Sequence, residues 1–466
     1  MPQRIRREIT NKETRVPKTK VVSKSSNAEK EKLAKKALPA VLMTVFLDVM
    51  GLGILIPLLP VLVNPHVPGS VVGPWWSDKS AYIMLGWLLA SFAIAQFLAA
   101  PILGQLSDKF GRKKVLGISI FGTAVGYVIF AIGILTKNLP IMFAGRILDG
   151  LTGGNLPVAQ AVVADVSTPE NRTRNFGLVG MMFGLGFALA PYISGKLATP
   201  GIPFIHIGSL QLGTTPSWFS LTTPFWIAAI LSAINVLLIV FRLPDTQKNI
   251  SKNLNIDWNK SFHNLFKAVT HPTLKHILIP MLFFFSGFGF FRAFFQVLLV
   301  NKLHFNQSNV GDFFAYFGVC MALGQGLITP FISKYLKNWQ ALQWGLVFGG
   351  VALITFLLPT RTSQLLIIPP FMALAIGQVF AHSISLISAS ATEDIQGEVL
   401  GINSSVQAFG DALPSALSGY IAASLSVSAP VLVGGITVLF GALLFRVMFK
   451  PSRLHAVSQS VEGVVH

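Results

Sequence analysis

Residues 104–116 read Gly104-Gln105-Leu106-Ser107-Asp108-Lys109-Phe110-Gly111-Arg112-Lys113-Lys114-Val115-Leu116, a charged break between two long apolar runs. Crowding four cations and one carboxylate into so few residues places this connection in water at one face of a membrane. Gly104 and Gly111 permit a backbone turn too tight for side chains.

Working outward, the composition agrees with a membrane setting. Of 466 residues, 52% are hydrophobic and 12% charged, and 37 are phenylalanine. Mean hydropathy is +0.63, outside the usual range of soluble domains. Apolar runs of the ~20 residues that a spanning helix needs recur between short loops, which indicates helices and excludes a barrel of alternating strands. The net charge of +18 raises the possibility of a nucleic-acid partner, but the cations lie in loops and termini without interleaved aromatic rings, so no nucleic acid is expected. A single cysteine, Cys320, excludes an intramolecular disulfide and a thiolate metal cluster; no metal and no cofactor are expected.

Hydropathy places spans at about 37–63, 81–103, 115–135, 140–163, 175–197 and 223–241, then at 277–300, 310–332, 341–358, 365–391, 399–423 and 430–448. The expected organisation is a disordered basic cytoplasmic tail over 1–36, a six-helix bundle over 37–241, a cytoplasmic linker over 242–276, a second six-helix bundle over 277–450 and a cytoplasmic tail over 451–466. Cations collect in loops on one side: 109–114, Arg172 and Arg174, the linker, Lys334 and Lys337, then Arg446, Lys450 and Arg453. The positive-inside rule puts those loops, and both termini, in the cytoplasm. The loop over 392–398 is the exception, with Glu393, Asp394 and Glu398 and no cation, but acidic residues carry little weight in that rule.

The stretch 104–116 resembles the signature loop of the major facilitator superfamily, Gly-x-Leu-x-Asp-[Arg/Lys]-x-Gly-Arg-[Arg/Lys]-x-x-Leu, at Gly104, Leu106, Asp108, Lys109, Gly111, Arg112, Lys113 and Leu116. The second-half counterpart, residues 329–337, is a weak echo. The first span, with Asp48, Gly51, Gly53, Pro57 and Pro60, is similar to the opening motif of the twelve-span drug:proton antiporter branch, whose tetracycline exporters it most resembles. The resemblance implies an all-α major facilitator fold of twelve spans in two six-helix halves, and transport without enzymatic chemistry. It further implies a conformational latch at Gly104, Asp108, Gly111 and Arg112.

Ionisable residues inside spans are costly and mark function by default. Asp48 faces the bundle interior with Thr44 and Gly51, either as a packing hydrogen bond or as a proton carrier. In the fourth span Arg146 resembles the family's Arg-x-x-x-Gly arginine, which is linked to proton coupling. Asp149, not part of that motif, lies three residues on and so shares its face; the pair is either a proton switch or a fixed ion pair orienting helices. Gly184, Gly186, Pro191 and Gly195 resemble the antiporter motif of the fifth span, with Ala190 and Ser194 replacing two glycines, and form a close-packed seam.

In the second half Arg292 and Gln296 share a face of span seven, and Gln378 and His382 a face of span ten. Span eleven carries a polar stripe, Ser404, Gln407, Asp411, Ser415 and Ser418, beside Asn403, and Asp411 is expected to face Arg292 or Arg146. His382 is a possible proton relay, although a lone helical histidine is more often a satisfied hydrogen-bonding residue. The phenylalanines at 283–285, 288, 290, 291, 294 and 295 are expected partly against lipid and partly at the substrate.

Tetracycline exporters carry acidic residues in the third and ninth spans; here residues 122–127 and 343–358 have none. The scaffold carries over and the tetracycline–cation site does not. The expected activity is proton-coupled efflux of a small amphipathic or anionic compound by alternating access, from the inner (plasma) membrane, as a monomer whose partners are the solute, protons and lipid. The alternatives are an importer or facilitator of an organic anion or other small metabolite and, more remotely, a non-transporting membrane receptor.

Overall fold

The computed structural model describes residues 24–67, 69–168, 171–207, 210–244, 246, 256–390 and 396–450. The signature loop shows how local chemistry sets the elements. Helix α3 (Asp78–Phe110) starts where the Ser77 side chain accepts the Ser80 N–H at 3.1 Å, and it stops at Gly111, whose φ of 98° is open to glycine. Helix α4 (Arg112–Leu135) starts on the next residue, so the charged connection is one tight corner.

Around this corner the first half comprises α1 (Lys24–Leu55), the short α2 (Leu59–Leu62), α3, α4, α5 (Leu139–Thr152), α6 (Leu156–Val166), α7 (Arg172–Leu197) and α8 (Thr223–Arg242). After α9 (Lys260–Thr270), the second half comprises α10 (Lys275–Leu303), α11 (Gln307–Leu323), a π-helical turn (Gly324–Ile328) leading into α12 (Thr329–Ile332), α13 (Asn338–Thr355), α14 (Thr362–Leu365), α15 (Ile368–Ala389), α16 (Gln396–Ser424) and α17 (Ala429–Met448). The halves meet along two seams, α3 on α16 and α7 on α11.

Among the described residues, nine helical segments are long and apolar enough to cross a membrane. The other three expected spans have visible reasons to differ. The fourth is not continuous: Gly153-Gly154-Asn155 separates α5 from α6, because two glycines weaken the helix and Pro157 restarts it. The ninth, α13, opens with Asn338 and Gln340, and the eleventh, α16, carries the polar stripe.

Three features depart from the sequence reading. Helix α1 begins at Lys24, so residues 24–36, expected within a disordered tail, are helical; residues 1–23 and 451–466 lie outside the described set. The expected linker contains α9. A two-stranded antiparallel hairpin, β1 (Pro203–Ile207) and β2 (Leu210–Thr214), interrupts the all-α pattern, with Ile205 opposite Leu212. Below, the end of the bundle bearing the Lys109–Lys114 cations is the basic end and the other is the hairpin end.

The phenylalanine run of α10 is mainly core rather than lipid-facing. Phe284, Phe285, Phe291, Phe294 and Phe295 are buried, and Phe291 stacks on Phe295 with ring centres 4.4 Å apart.

Candidate functional site

In the first half, the helix break and the buried carboxylate belong together. Breaking the chain at Gly153 and Gly154 aims the Asn155 side chain inward, where its Nδ2 donates to Asp48 Oδ1 at 3.1 Å. Asp48 Oδ2 and Asn155 Oδ1 are buried with no hydrogen-bond partner among the described residues. An unpartnered charged oxygen at membrane depth costs several kcal/mol. Gly51 leaves room beside Asp48 for the Tyr127 hydroxyl, which a Cβ at that position would strike.

Arg146 and Asp149 pair as the spacing predicts, with Nη1 to Oδ2 at 3.0 Å and both side chains 4% exposed. The guanidinium also lies over the Phe92 ring, 4.3 Å from its centre. Arg146 Nε is buried without a partner among the described residues. Gly126 lets the α4 backbone come close to Asp149.

In the second half, Arg292 Nη2 reaches Asp411 Oδ1 at 2.7 Å, joining α10 to α16 as expected from the stripe. Gln296 Nε2 donates to the Ala293 carbonyl at 2.8 Å, and its Oε1 is buried without a described partner. These groups converge on a cavity between the halves. Arg146 and Gln96 line it from the first half, and Arg292, Gln296, Gln407 and Asp411 from the second, among the rings of Phe92, Phe187, Phe285, Phe288 and Phe380. Its volume is about 120 Å³. Sites for drug-sized ligands run to ~300–1,000 Å³, so the cavity is closed down in this conformation.

Neither Asp48 nor Asp149 lines the cavity itself, and three further sequence candidates lie elsewhere. Gln378 and His382 are outside the lining of this cavity: His382 sits between Asn338 Oδ1 at 3.1 Å and Gln378 Oε1 at 3.1 Å, and Gln378 donates to the Thr329 hydroxyl at 2.8 Å. That network joins α12, α13 and α15 on the flank of the second half. Asn403 is also outside the lining, and its Oδ1 is buried without a described partner.

At the basic end, Arg112 bonds Asp108 at 2.6 Å, Ser107 at 2.6 Å and Asp165 at 3.4 Å, contacts that remain within the first half. Gly104 faces open space. At the hairpin end, the Lys196 ammonium is buried and crosses the seam to Ser308 at 2.8 Å and Asp312 at 3.0 Å. A Cβ on Gly195 would meet the Gln307 carbonyl at 2.5 Å, and one on Gly186 would meet Val49 of α1 at 2.9 Å and the Phe46 carbonyl at 3.0 Å. Pro191 is enclosed by Gly53 and Gly311, whereas Gly184 and Gly180 face open space beside the cavity. The α7–α11 seam is therefore tight at the hairpin end and parts toward the basic end. Asn155, Tyr127, Lys196 and Asp312 escaped the sequence reading; the Gly-Gly-Asn break was the available signal for the first.

Residues 41–414 match the family described as the Major Facilitator Superfamily. The tetracycline resistance protein of class C from Escherichia coli is 29% identical over 428 residues, 91% of this chain and 98% of that one. The class E protein from Escherichia coli is 30% identical over 369 residues, 78% of this chain and 82% of that one. Among solved structures, the human organic anion transporter MFSD10 (TETRAN) superposes with a TM-score of 0.64 at 22% identity, covering 88% of this chain and 99% of that one.

Proposed function

The chain belongs to the major facilitator superfamily and is a multi-pass secondary transporter of the drug:proton antiporter type, not an enzyme; from that premise we propose that it expels a small amphipathic organic anion in exchange for protons. The observation that carries this reading is the central cavity, where each half contributes one arginine, Arg146 and Arg292, among phenylalanine rings. Guanidinium groups bind carboxylates through paired, charge-assisted hydrogen bonds, and the rings supply the apolar surface that an amphipathic solute needs. The organic anion transporter among the structural relatives supports the same solute class, whereas the missing carboxylates of the third and ninth spans argue against tetracycline itself.

In this reading each arginine is held by a carboxylate, Arg146 by Asp149 and Arg292 by Asp411. While the aspartates are ionised, each pair holds its guanidinium in place with its remaining N–H groups toward the solute. A proton arriving from outside releases the arginine from its carboxylate, dismantles this arrangement and ejects the anion outward, and loss of that proton to the cytoplasm restores the site. Asp48 is a third proton carrier, held by Asn155, and His382 belongs to the flanking network rather than to coupling. The latch acts through Arg112, which binds α3, α4 and α6 into one rigid unit during the exchange. The basic end faces the cytoplasm and the hairpin end the outside, in the inner (plasma) membrane, with a monomer as the working unit.

Binding is tested by thermal unfolding of the detergent-solubilised protein with p-aminohippurate, an aromatic carboxylate, and with tetracycline. The expected result is a higher unfolding temperature with p-aminohippurate that is lost in Arg292→Met. A shift with tetracycline alone, or one unaffected by Arg292→Met, contradicts the proposed solute class.

A further inference from the structure

The segment between the halves reads as polar, yet the exposed face of α9 is aromatic. Phe262 is 54% exposed, Phe266 68% and Val269 47%; their i, i+4, i+7 spacing makes one stripe, and Trp258, one turn earlier, is 69% exposed. The opposite face is buried and polar. Ser261 donates to the Phe97 carbonyl of α3 at 2.7 Å, and Asn264 donates to Ser405 of α16 at 2.9 Å. At the edge, Lys267 bonds Glu398 at 2.5 Å, and before the helix Gln105 and the Asp257 backbone exchange two bonds. Helix α9 thus spans the α3–α16 seam at the basic end, beside a cleft of about 460 Å³ that Lys260, Asn264 and Lys267 line with Gly104 and Gly401.

Two observations say what covers the aromatic stripe. The first is depth. The 33 residues of α3 extend ~50 Å, against ~30 Å of hydrocarbon, so its last turns stand clear of the bilayer. Ser261 meets α3 thirteen residues before Phe110, ~20 Å from the end and within two turns of the end of the apolar run 81–103, near the boundary of the hydrocarbon. The second is continuity. The Phe262 ring packs edge-on against Phe97 at 5.5 Å, next to Ile94, which is exposed on the lipid-facing side of α3. Farther along the same seam, Trp87 donates to the Tyr420 hydroxyl at 2.9 Å, and both residues are exposed. The stripe prolongs that lipid-facing surface. Lys260, Lys267 and Lys275 accompany it, with the charge that anionic headgroups attract.

We propose that α9 is an interfacial helix whose Trp258, Phe262, Phe266 and Val269 insert into the phospholipid leaflet at the basic end, while its polar face straps α3 to α16. The strap closes a lateral opening that parting of this seam otherwise exposes to lipid. The inference is independent of which solute is carried.

In a Cys320→Ser background, single cysteines at Phe262, His263, Phe266 and Thr270 are spin-labelled in vesicles of phosphatidylcholine and phosphatidylglycerol. Collision rates are then measured with oxygen, which concentrates in lipid, and with a water-soluble nickel chelate. The expected result is a severalfold higher oxygen-to-nickel ratio at Phe262 and Phe266 than at His263 and Thr270. Equal ratios at all four positions, or Phe262 and Phe266 shielded from both reagents, overturn the proposal. Quenching by brominated phospholipid gives a second readout on the native helix: Trp258→Tyr is expected to reduce the quenched emission, and unchanged quenching counts against lipid contact.

Discussion

Replacing Gly195 by alanine tests whether the α7–α11 seam sets the conformation. The added methyl meets the Gln307 carbonyl oxygen at 2.5 Å and its carbon at 3.2 Å, whereas carbon and carbonyl oxygen come no closer than ~3.3 Å even in favourable contacts. The seam must open by most of an ångström at a point where backbone, not a flexible side chain, is struck. Overpacking of this kind costs ~1–3 kcal/mol. The cost falls only on the conformation closed at the hairpin end. The helix-propensity gain of alanine over glycine, ~1 kcal/mol, is common to both conformations and cancels. The population open at the hairpin end therefore rises ~5- to 150-fold. Gly180→Ala is the control, because its methyl meets nothing within 4 Å. The assay places a cysteine at Ile56, which lines the central cavity, in a Cys320→Ser background, and measures its labelling by a membrane-impermeant maleimide added outside cells. Faster labelling in Gly195→Ala and no change in Gly180→Ala is expected. Equal rates in the two variants refute the idea that this close approach holds the end shut.

Three further outcomes follow from the same geometry. Arg292→Met strands Asp411 and is expected to lower unfolding stability by ~3 kcal/mol, while Arg292→Met with Asp411→Leu recovers most of it without restoring solute binding; equilibrium unfolding in detergent and binding measure the two. Asn155→Ala removes the one described donor to Asp48 and is expected to cost ~1–3 kcal/mol, with Asp48→Asn in the same background restoring stability but not proton-coupled transport. The docking of α9 is expected to weaken in acid. The Lys267 ammonium holds the Glu398 carboxyl below its ordinary value, so that contribution is present above about 4.5 and is lost as pH falls through the lowered value. Burial likewise lowers His271, whose Nδ1 accepts the Thr273 and Leu274 N–H groups, so its contribution declines as pH drops below about 6.5. Amide hydrogen exchange in α9, corrected for intrinsic rates, is expected to quicken at low pH; protection that is unchanged or rises contradicts the assignment.

Much of the scaffold was legible because it obeys local rules. Gly111 marks a positive φ, and the steps of three and four in span eleven place Asp411 on the interior face where Arg292 meets it. What escaped depends on contacts remote in sequence. Asn155 lies 107 residues from Asp48, and Lys196 lies 116 from Asp312; no periodicity pairs them. Gln378 and His382 show the converse error. Their spacing puts them correctly on one face of α15, but sequence does not say whether that face meets the central cavity or the neighbouring helix α13. Helix α9 was hidden because its largest apolar residues, Phe262, Phe266 and Val269, face outward while Ser261 and Asn264 face the protein, against the usual pattern of a soluble amphipathic helix.

The central claim is that buried carboxylates exchange protons for an organic anion. It is tested most directly in proteoliposomes carrying a trapped pH indicator, with radiolabelled p-aminohippurate on one side and an imposed pH gradient. The account predicts that solute moves against its gradient as protons move the other way, and that Asp149→Asn and Asp411→Asn each uncouple the two fluxes. Solute movement that ignores the pH gradient, or coupled proton flux that survives both substitutions, contradicts it.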